Sequence, residues 1–256
     1  MSSDSGDTPN DGIRAIAFDC YGTLIDFTDA AFIQTYDDIC RRQSLGCDGK
    51  ALWDKWMDIW RRQAAQGRAR ENPRNDATAW TLSRPTLAFR PYSEEWPEHF
   101  ETCFRELGVS GDPVAAYEHV RVGLAEASAY GETFAVLAAL KSRYRLGILS
   151  NADDDFLTAC LQKNGLHTEF EIIITSESAG VYKPQEEIFH SFCETVGVAR
   201  HEVLYVGDSQ SADILGAKNA GMPMAWVNRD GSPLREGVPR PDHELTSLAD
   251  LLDLLG

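Results

Sequence analysis

Five short apolar runs constrain this chain more than any other feature, through their order along it. They cover 13–18, 145–149, 171–174, 203–206 and 224–227, and each stops just before polar or small residues. Unalternating runs of this length read as strands buried on both faces, the pattern of a parallel sheet. Between the last four lie helical stretches, among them 155–164, closed by Gly165, and 184–196, opened by Pro184 and closed by Gly197. Proline fits a helix start, where its missing N–H has no partner to lose, and glycine fits the left-handed residue past a helix end. Strand and helix alternating at this rhythm predict an α/β fold with a doubly wound parallel, Rossmann-like sheet.

The first run stands apart from the second by more than a hundred residues of different texture. Aromatics recur there at helical spacing: Phe32, Tyr36 and Ile39, then Trp53, Trp56, Met57 and Trp60, then Trp96, Phe100, Phe104 and Leu107. Such a stripe is the buried face of packed helices rather than a cofactor box. The predicted organisation is a disordered lead-in over 1–12, a core made of 13–26 and 131–256, and an inserted all-helical cap domain over 27–130. Pro91, Pro97 and Pro113 are expected to punctuate the helices of the insertion.

Charge narrows the partners. The 256 residues carry a formal net charge of −16, which repels nucleic-acid backbones and anionic lipid surfaces. The expected partner is therefore a small-molecule anionic substrate, with neither nucleic acid nor membrane, and its pocket must be locally basic. No apolar run approaches the ~20 residues of a membrane span. The polar, acidic start MSSDSGDTPNDG has neither the basic nor the apolar region of a signal peptide, so a cytoplasmic location is expected. Six scattered cysteines lack metal-ligand spacing and read as reduced thiols. The sequence sets no oligomeric state.

In an open α/β sheet, chemistry gathers at the carboxyl ends of the strands. Asp19 follows the first run and leads into a glycine-containing turn. It reads either as a turn former or as a carboxylate nucleophile able to form an ester, with the Thr23 hydroxyl placed to hold it. Ser150 and Asn151 follow the second run and offer neutral donors to an anion. Lys183 lies after the third, as a surface lysine or as the cation that orients Asp19 and offsets substrate charge. Asp208 and Asp213 follow the fourth, as a helix cap and an exposed acid or as part of a hard-cation site. Asn228 and Arg229 end the fifth and read as structural.

FDCYGTLID, LSNAD, VYKP and GDSQSAD, in that order at four successive strand ends, resemble the four motifs of the haloacid dehalogenase superfamily. The insertion after the first motif occupies the cap position of one branch. The resemblance implies that Asp19 forms a covalent ester, that Thr23 and Ser150 position it, and that Lys183 neutralises charge.

Tyr21 bears on what Asp19 attacks. Phosphatases of the superfamily usually carry an aspartate there, which protonates the departing alcohol. A halide leaves as a stable anion and needs no proton, so DxYGT resembles the L-2-haloacid dehalogenases. Trp60-Arg61-Arg62-Gln63 is similar to the cap segment whose arginine receives substrate carboxylate and halide, with Arg61 in the matching place. The tail WVNRDGSPL…HELTSLADLL is also dehalogenase-like. GDSQSAD departs from that branch and resembles the magnesium motif of phosphatases, where Asp208 would hold Mg²⁺ with Asp19 and the Tyr21 carbonyl. Phe189 stands where the dehalogenases have a tyrosine.

The expected activity is dehalogenation of a short 2-haloacid without a metal. Arg61 and donors near Ser150 and Asn151 would bind the carboxylate beside Tyr21, and Asp213 would activate the hydrolytic water. The alternative is a Mg²⁺-dependent phosphatase of a small metabolite. A non-catalytic binding protein on the same fold is the third reading, which a lost nucleophile would mark; Asp19 is present.

Overall fold

The computed structural model describes residues 12–71 and 89–256, with the side chains of 63–71 excepted. The expected lead-in, apart from Gly12, therefore lies outside the described residues. Six parallel strands form one sheet in the order β3-β2-β1-β4-β5-β6. They are β1 (Ala15–Phe18), β2 (Arg145–Ser150), β3 (Ile172–Thr175), β4 (Val203–Gly207), β5 (Met224–Val227) and β6 (His243–Leu245). β1 begins two residues later than its apolar run, and β6 is too short and too exposed to show a strand pattern.

The strands bury both faces, so alternate residues feed two cores. Ile16, Phe18, Leu204, Val206, Ala225 and Val227 face one side, and Ala15, Ala17, Val203, Tyr205, Met224 and Trp226 face the other. Helices α5 (Thr133–Leu140), α6 (Asp154–Lys163) and α10 (Asp250–Leu255) contribute to the first core. Helices α8 (Glu186–Val196) and α9 (Leu215–Asn219) contribute to the second, and the single turn α7 (Ser176–Ala179) follows β3. The chain runs outward from β1 to β3, then returns to place β4 on the other side of β1. Phe18 thus pairs with both Ile148 and Val206. This reversal of strand order opens a crevice at the carboxyl ends of β1 and β4.

Between β1 and β2 the described chain forms α1 (Asp29–Arg42), α2 (Gly49–Glu71), α3 (Tyr92–Leu107) and α4 (Pro113–Ala125) before α5. The aromatic stripe is packing: Tyr36, Trp56, Phe100 and Phe104 are buried together in the first core. Pro91 precedes α3 and Pro113 opens α4 as expected, but Pro97 lies inside α3 rather than at an end. The insertion is tied to the sheet. Buried Asp153, just past β2, accepts the backbone N–H groups of Tyr92 and Ser93 at 2.8 Å each, neutralising the start of α3. The Tyr182 hydroxyl donates to the Arg90 carbonyl at 2.7 Å.

Candidate active site

Two glycines let the acidic groups converge. Gly22 turns the chain after β1 with φ +89°, and a Cβ there would lie 2.6 Å from an Asp208 carboxylate oxygen. A Cβ on Gly207, at the end of β4, would lie 2.5 Å from the Asp213 carboxyl carbon. After Gly207 the Ser209 carbonyl accepts from both Asp213 N–H at 2.9 Å and Ile214 N–H at 3.1 Å. This is a widened helical turn over Gln210–Ile214, a distortion common where a side chain must be re-aimed. It carries Asp213 back beneath the end of β1.

Lys183 is the centre of the site. It is 3% exposed, and its three donors go to Asp19 Oδ1 at 2.7 Å, Asp213 Oδ1 at 2.7 Å and the Tyr205 hydroxyl at 2.9 Å. The Tyr205 hydroxyl lies 3.0 Å from Asp213 Oδ1 and 3.1 Å from the Leu149 carbonyl, and its one proton can go to either. Asp213 Oδ2 accepts the Ser209 N–H at 2.8 Å. Asp19 Oδ1 also accepts from Ser150 Oγ at 3.1 Å. Asp19 Oδ2 has no hydrogen bond among the described residues. Burial alone would lower the Lys183 pKa, but Asp19 and Asp213 outweigh it and hold the ammonium above the usual lysine range.

Asp208 is the group left over. Burial, then repulsion from Asp19 and Asp213, pushes its carboxyl well above the usual range, against one hydrogen bond from Thr23 Oγ1 at 3.0 Å. Asp19, Asp208 and Asp213 bring carboxylate oxygens within 4.8 Å of one another, and Lys183 balances only one of three charges. A cluster of hard oxygen donors with uncompensated negative charge fits Mg²⁺. Lys183 already bridges Asp19 and Asp213, so Asp19 and Asp208 are the carboxylates that would hold a cation.

Above these groups lies a cavity of about 1050 Å³. Asp19, Tyr21, Ser150, Asn151, Lys183 and Asp208 line it, and so do Arg229 and Arg235. The profile of haloacid dehalogenase-like hydrolases matches residues 13–221, which spans β1 to the end of α9 and includes Asp19, Ser150, Lys183, Asp208 and Asp213 but not Arg229 or Arg235.

The chain belongs to the haloacid dehalogenase-like hydrolases.

Among members of the family, (S)-2-haloacid dehalogenase 4A of Burkholderia cepacia is 30% identical over 248 residues, covering 96% of each chain. The pyrimidine 5'-nucleotidase YjjG of Escherichia coli is 35% identical over 121 residues, 47% of this chain and 53% of that one. In fold, the L-2-haloacid dehalogenase of Xanthobacter autotrophicus superposes with a TM-score of 0.71 at 23% identity, over 95% of this chain and 98% of that one.

Asn151 lines the cavity while its amide exchanges hydrogen bonds with the Lys183 backbone, Nδ2 donating at 3.1 Å and Oδ1 accepting at 2.8 Å. Three expectations for this haloacid dehalogenase-like hydrolase need correction. Thr23 holds Asp208 and not Asp19. Asp213 is fully buried, spends both oxygens on Lys183, Tyr205 and Ser209, and does not line the cavity, so it is poorly placed to activate water. Arg61 is exposed on α2, whose inward face carries Trp56 and Ile59, and it does not line the cavity.

Arg229, read as structural, is held by structural contacts, donating to Glu132 at 2.7 Å and to the Thr23 carbonyl at 3.1 Å and stacking 3.7 Å from the centre of the Tyr130 ring, and it also lines the cavity. One contributor to the site escaped the sequence reading. Tyr205 sits inside an aliphatic strand. The signal available was its hydroxyl, which a fully buried tyrosine must satisfy somewhere.

Proposed function

We propose that this hydrolase removes halide from a 2-halogenated carboxylic acid through an ester on Asp19. One observation carries the reading: Asp19 Oδ1 is pinned by Lys183 and Ser150, and Oδ2 is left for attack beside Tyr21 instead of an acid. The full-length likeness to a haloacid dehalogenase supports it. Oδ2 displaces halide from the α-carbon in line, so a C–O bond forms as the carbon–halogen pair departs with the halide. Lys183 offsets the charge, and Arg229 and Arg235 are the lining arginines that face the substrate carboxylate. Water then adds to the Asp19 carboxyl carbon and the 2-hydroxy acid leaves. Asp208 lines the cavity where Asp213 does not, and takes the water's proton in this scheme. The helices between β1 and β2 act as a cap domain over the crevice, keeping bulk water from the ester.

The carboxylate cluster favours a second reading, a Mg²⁺-dependent phosphatase. There Asp19, Asp208 and the Tyr21 carbonyl would hold the ion, which polarises a phosphoryl oxygen. A parallel assay on 2-chloropropionate and p-nitrophenyl phosphate, each with Mg²⁺ and with EDTA, decides between them. Halide release unaffected by EDTA supports the dehalogenase. Phosphate release abolished by EDTA, with no halide from the haloacid, replaces it by the phosphatase.

A further inference from the structure

A run of aromatic rings leads away from the nucleophile along the cavity wall. Tyr21, two residues past Asp19, lies 6.0 Å from the Phe156 ring and 6.1 Å from Phe27. Phe27 meets Phe32 at 4.8 Å, Phe32 meets Trp96 at 6.5 Å, and Trp96 meets Tyr92 at 4.5 Å. All six line the same cavity as Asp19. They come from the turn after β1 and from α1, α3 and α6, so both the sheet and the inserted helices build the wall. Tyr21, Phe32 and Trp96 are packed against the core and yet keep part of their surface exposed. At about 1050 Å³ the cavity stands at the top of the roughly 300–1,000 Å³ range of pockets that hold drug-sized ligands. A two- or three-carbon haloacid fills little of it and leaves these rings wet. Across the whole lining five carboxylates, Asp19 and Asp208 among them, outnumber three cations, which disfavours a second anionic group on the substrate.

We infer that the substrate carries an extended apolar arm, aromatic or of similar bulk, on its reacting carbon, and that the ring wall from Tyr21 to Trp96 binds that arm. The inference rests on Asp19 being the reacting group. Edge-to-face contacts with an aryl arm would extend the mostly T-shaped and tilted geometry the rings already show among themselves.

The test compares (S)-2-bromo-3-phenylpropionate, (S)-2-bromopropionate and 2-bromosuccinate by halide release, and 3-phenyllactate with lactate by their effect on Tm. The phenyl substrate should exceed bromopropionate at least tenfold in kcat/KM, since even a single methylene in a fitted pocket changes it by about 10- to 200-fold. Bromosuccinate should be the poorest of the three. Trp96→Leu should lower the phenyl-to-methyl ratio at least fivefold, and Trp96→Phe should keep most of it. Phenyllactate should raise Tm at concentrations where lactate has no effect. Bromopropionate turned over as well as the phenyl acid, with phenyllactate binding no better than lactate, overturns the inference while leaving the dehalogenase intact. Absence of halide release from all three acids, with phenyllactate still raising Tm, sinks the dehalogenase chemistry and retains the arm site.

Discussion

Replacing Lys183 by methionine removes a cation and keeps an apolar stem of similar length. Three hydrogen bonds vanish, at 2.7, 2.7 and 2.9 Å, from a position 3% exposed. Asp19 and Asp213, 7% and 0% exposed, then face each other with Asp208 nearby and no counter-charge. Deleting one partner of a buried ion pair destabilises by about 3–5 kcal/mol, a large share of the ~5–15 kcal/mol that holds a domain folded. Urea unfolding at pH 7.5, followed by circular dichroism, should show a loss in that range, and turnover should be undetectable. The size comes from stranded charge, so adding Asp213→Asn should restore at least about 2 kcal/mol instead of adding its own loss. The pH profile has a definite sign. Lys183 titrates above the usual lysine range in the fold, so its stabilisation is complete below about pH 10.4 and fades as pH rises further. The gap between wild type and Lys183→Met should be widest at pH 7–9 and narrow above about 10.5. A loss under 1 kcal/mol, or a double variant equal to the sum of the singles, would refute the reasoning.

Asp19→Asn should lose essentially all turnover and remain folded, because a neutral amide cannot attack; residual activity above a few per cent in protein checked for deamidation contradicts the nucleophile. Tyr205→Phe removes the hydroxyl shared by Lys183 and Asp213 and should destabilise by about 1.5–3 kcal/mol, the range for hydrogen bonds to charged groups, in the same urea titration. Asp208→Asn relieves repulsion in the carboxylate cluster and should raise Tm in EDTA; in millimolar Mg²⁺ the wild type should gain stability relative to this variant only if the cluster binds the ion. A single turnover in H₂¹⁸O should put unlabelled oxygen from Asp19 into the hydroxy acid and label into the enzyme, whereas direct attack of water on the α-carbon labels the product.

Much of the architecture was legible because a parallel sheet buried on both faces leaves uninterrupted apolar runs, and all five strands so marked start and stop within two residues of their runs. β6 left no such trace, since a three-residue edge strand with only Leu245 buried needs no apolar run. At the site, strand-end position revealed Asp19, Ser150, Lys183 and Asp208, which converge on the cavity floor. Partner choice was harder to read. Thr23 is close enough in sequence to serve Asp19, but the turn at Gly22 brings Asp208 against the same segment, and the hydroxyl goes there. The resemblance at Arg61 rests on four residues of a helix, and a helix offers a different face every residue. A local match therefore says nothing about which way a side chain points.

The departures from the dehalogenase pattern make structural sense in one place. At position 189, where the resemblance leads one to expect a tyrosine, there is a buried phenyl ring on α8, 5.1 Å from the ring of Tyr205 on β4. The two rings pack together, and Tyr205 on the strand supplies a hydroxyl to Lys183. Gly216 enforces the packing, because a Cβ there would sit 2.4 Å from the Phe189 ring. A requirement met in space need not be met at a fixed distance along the chain. Motif comparison counts Phe189 as a loss, but the lysine it flanks has all three of its donors satisfied. This separates the two unusual features of the sequence. The change at 189 is absorbed within the second core and leaves the Lys183 centre intact. Asp208 has no such compensation, with one hydroxyl donor against two neighbouring carboxylates, and so it is the residue on which the choice between haloacid and phosphate turns.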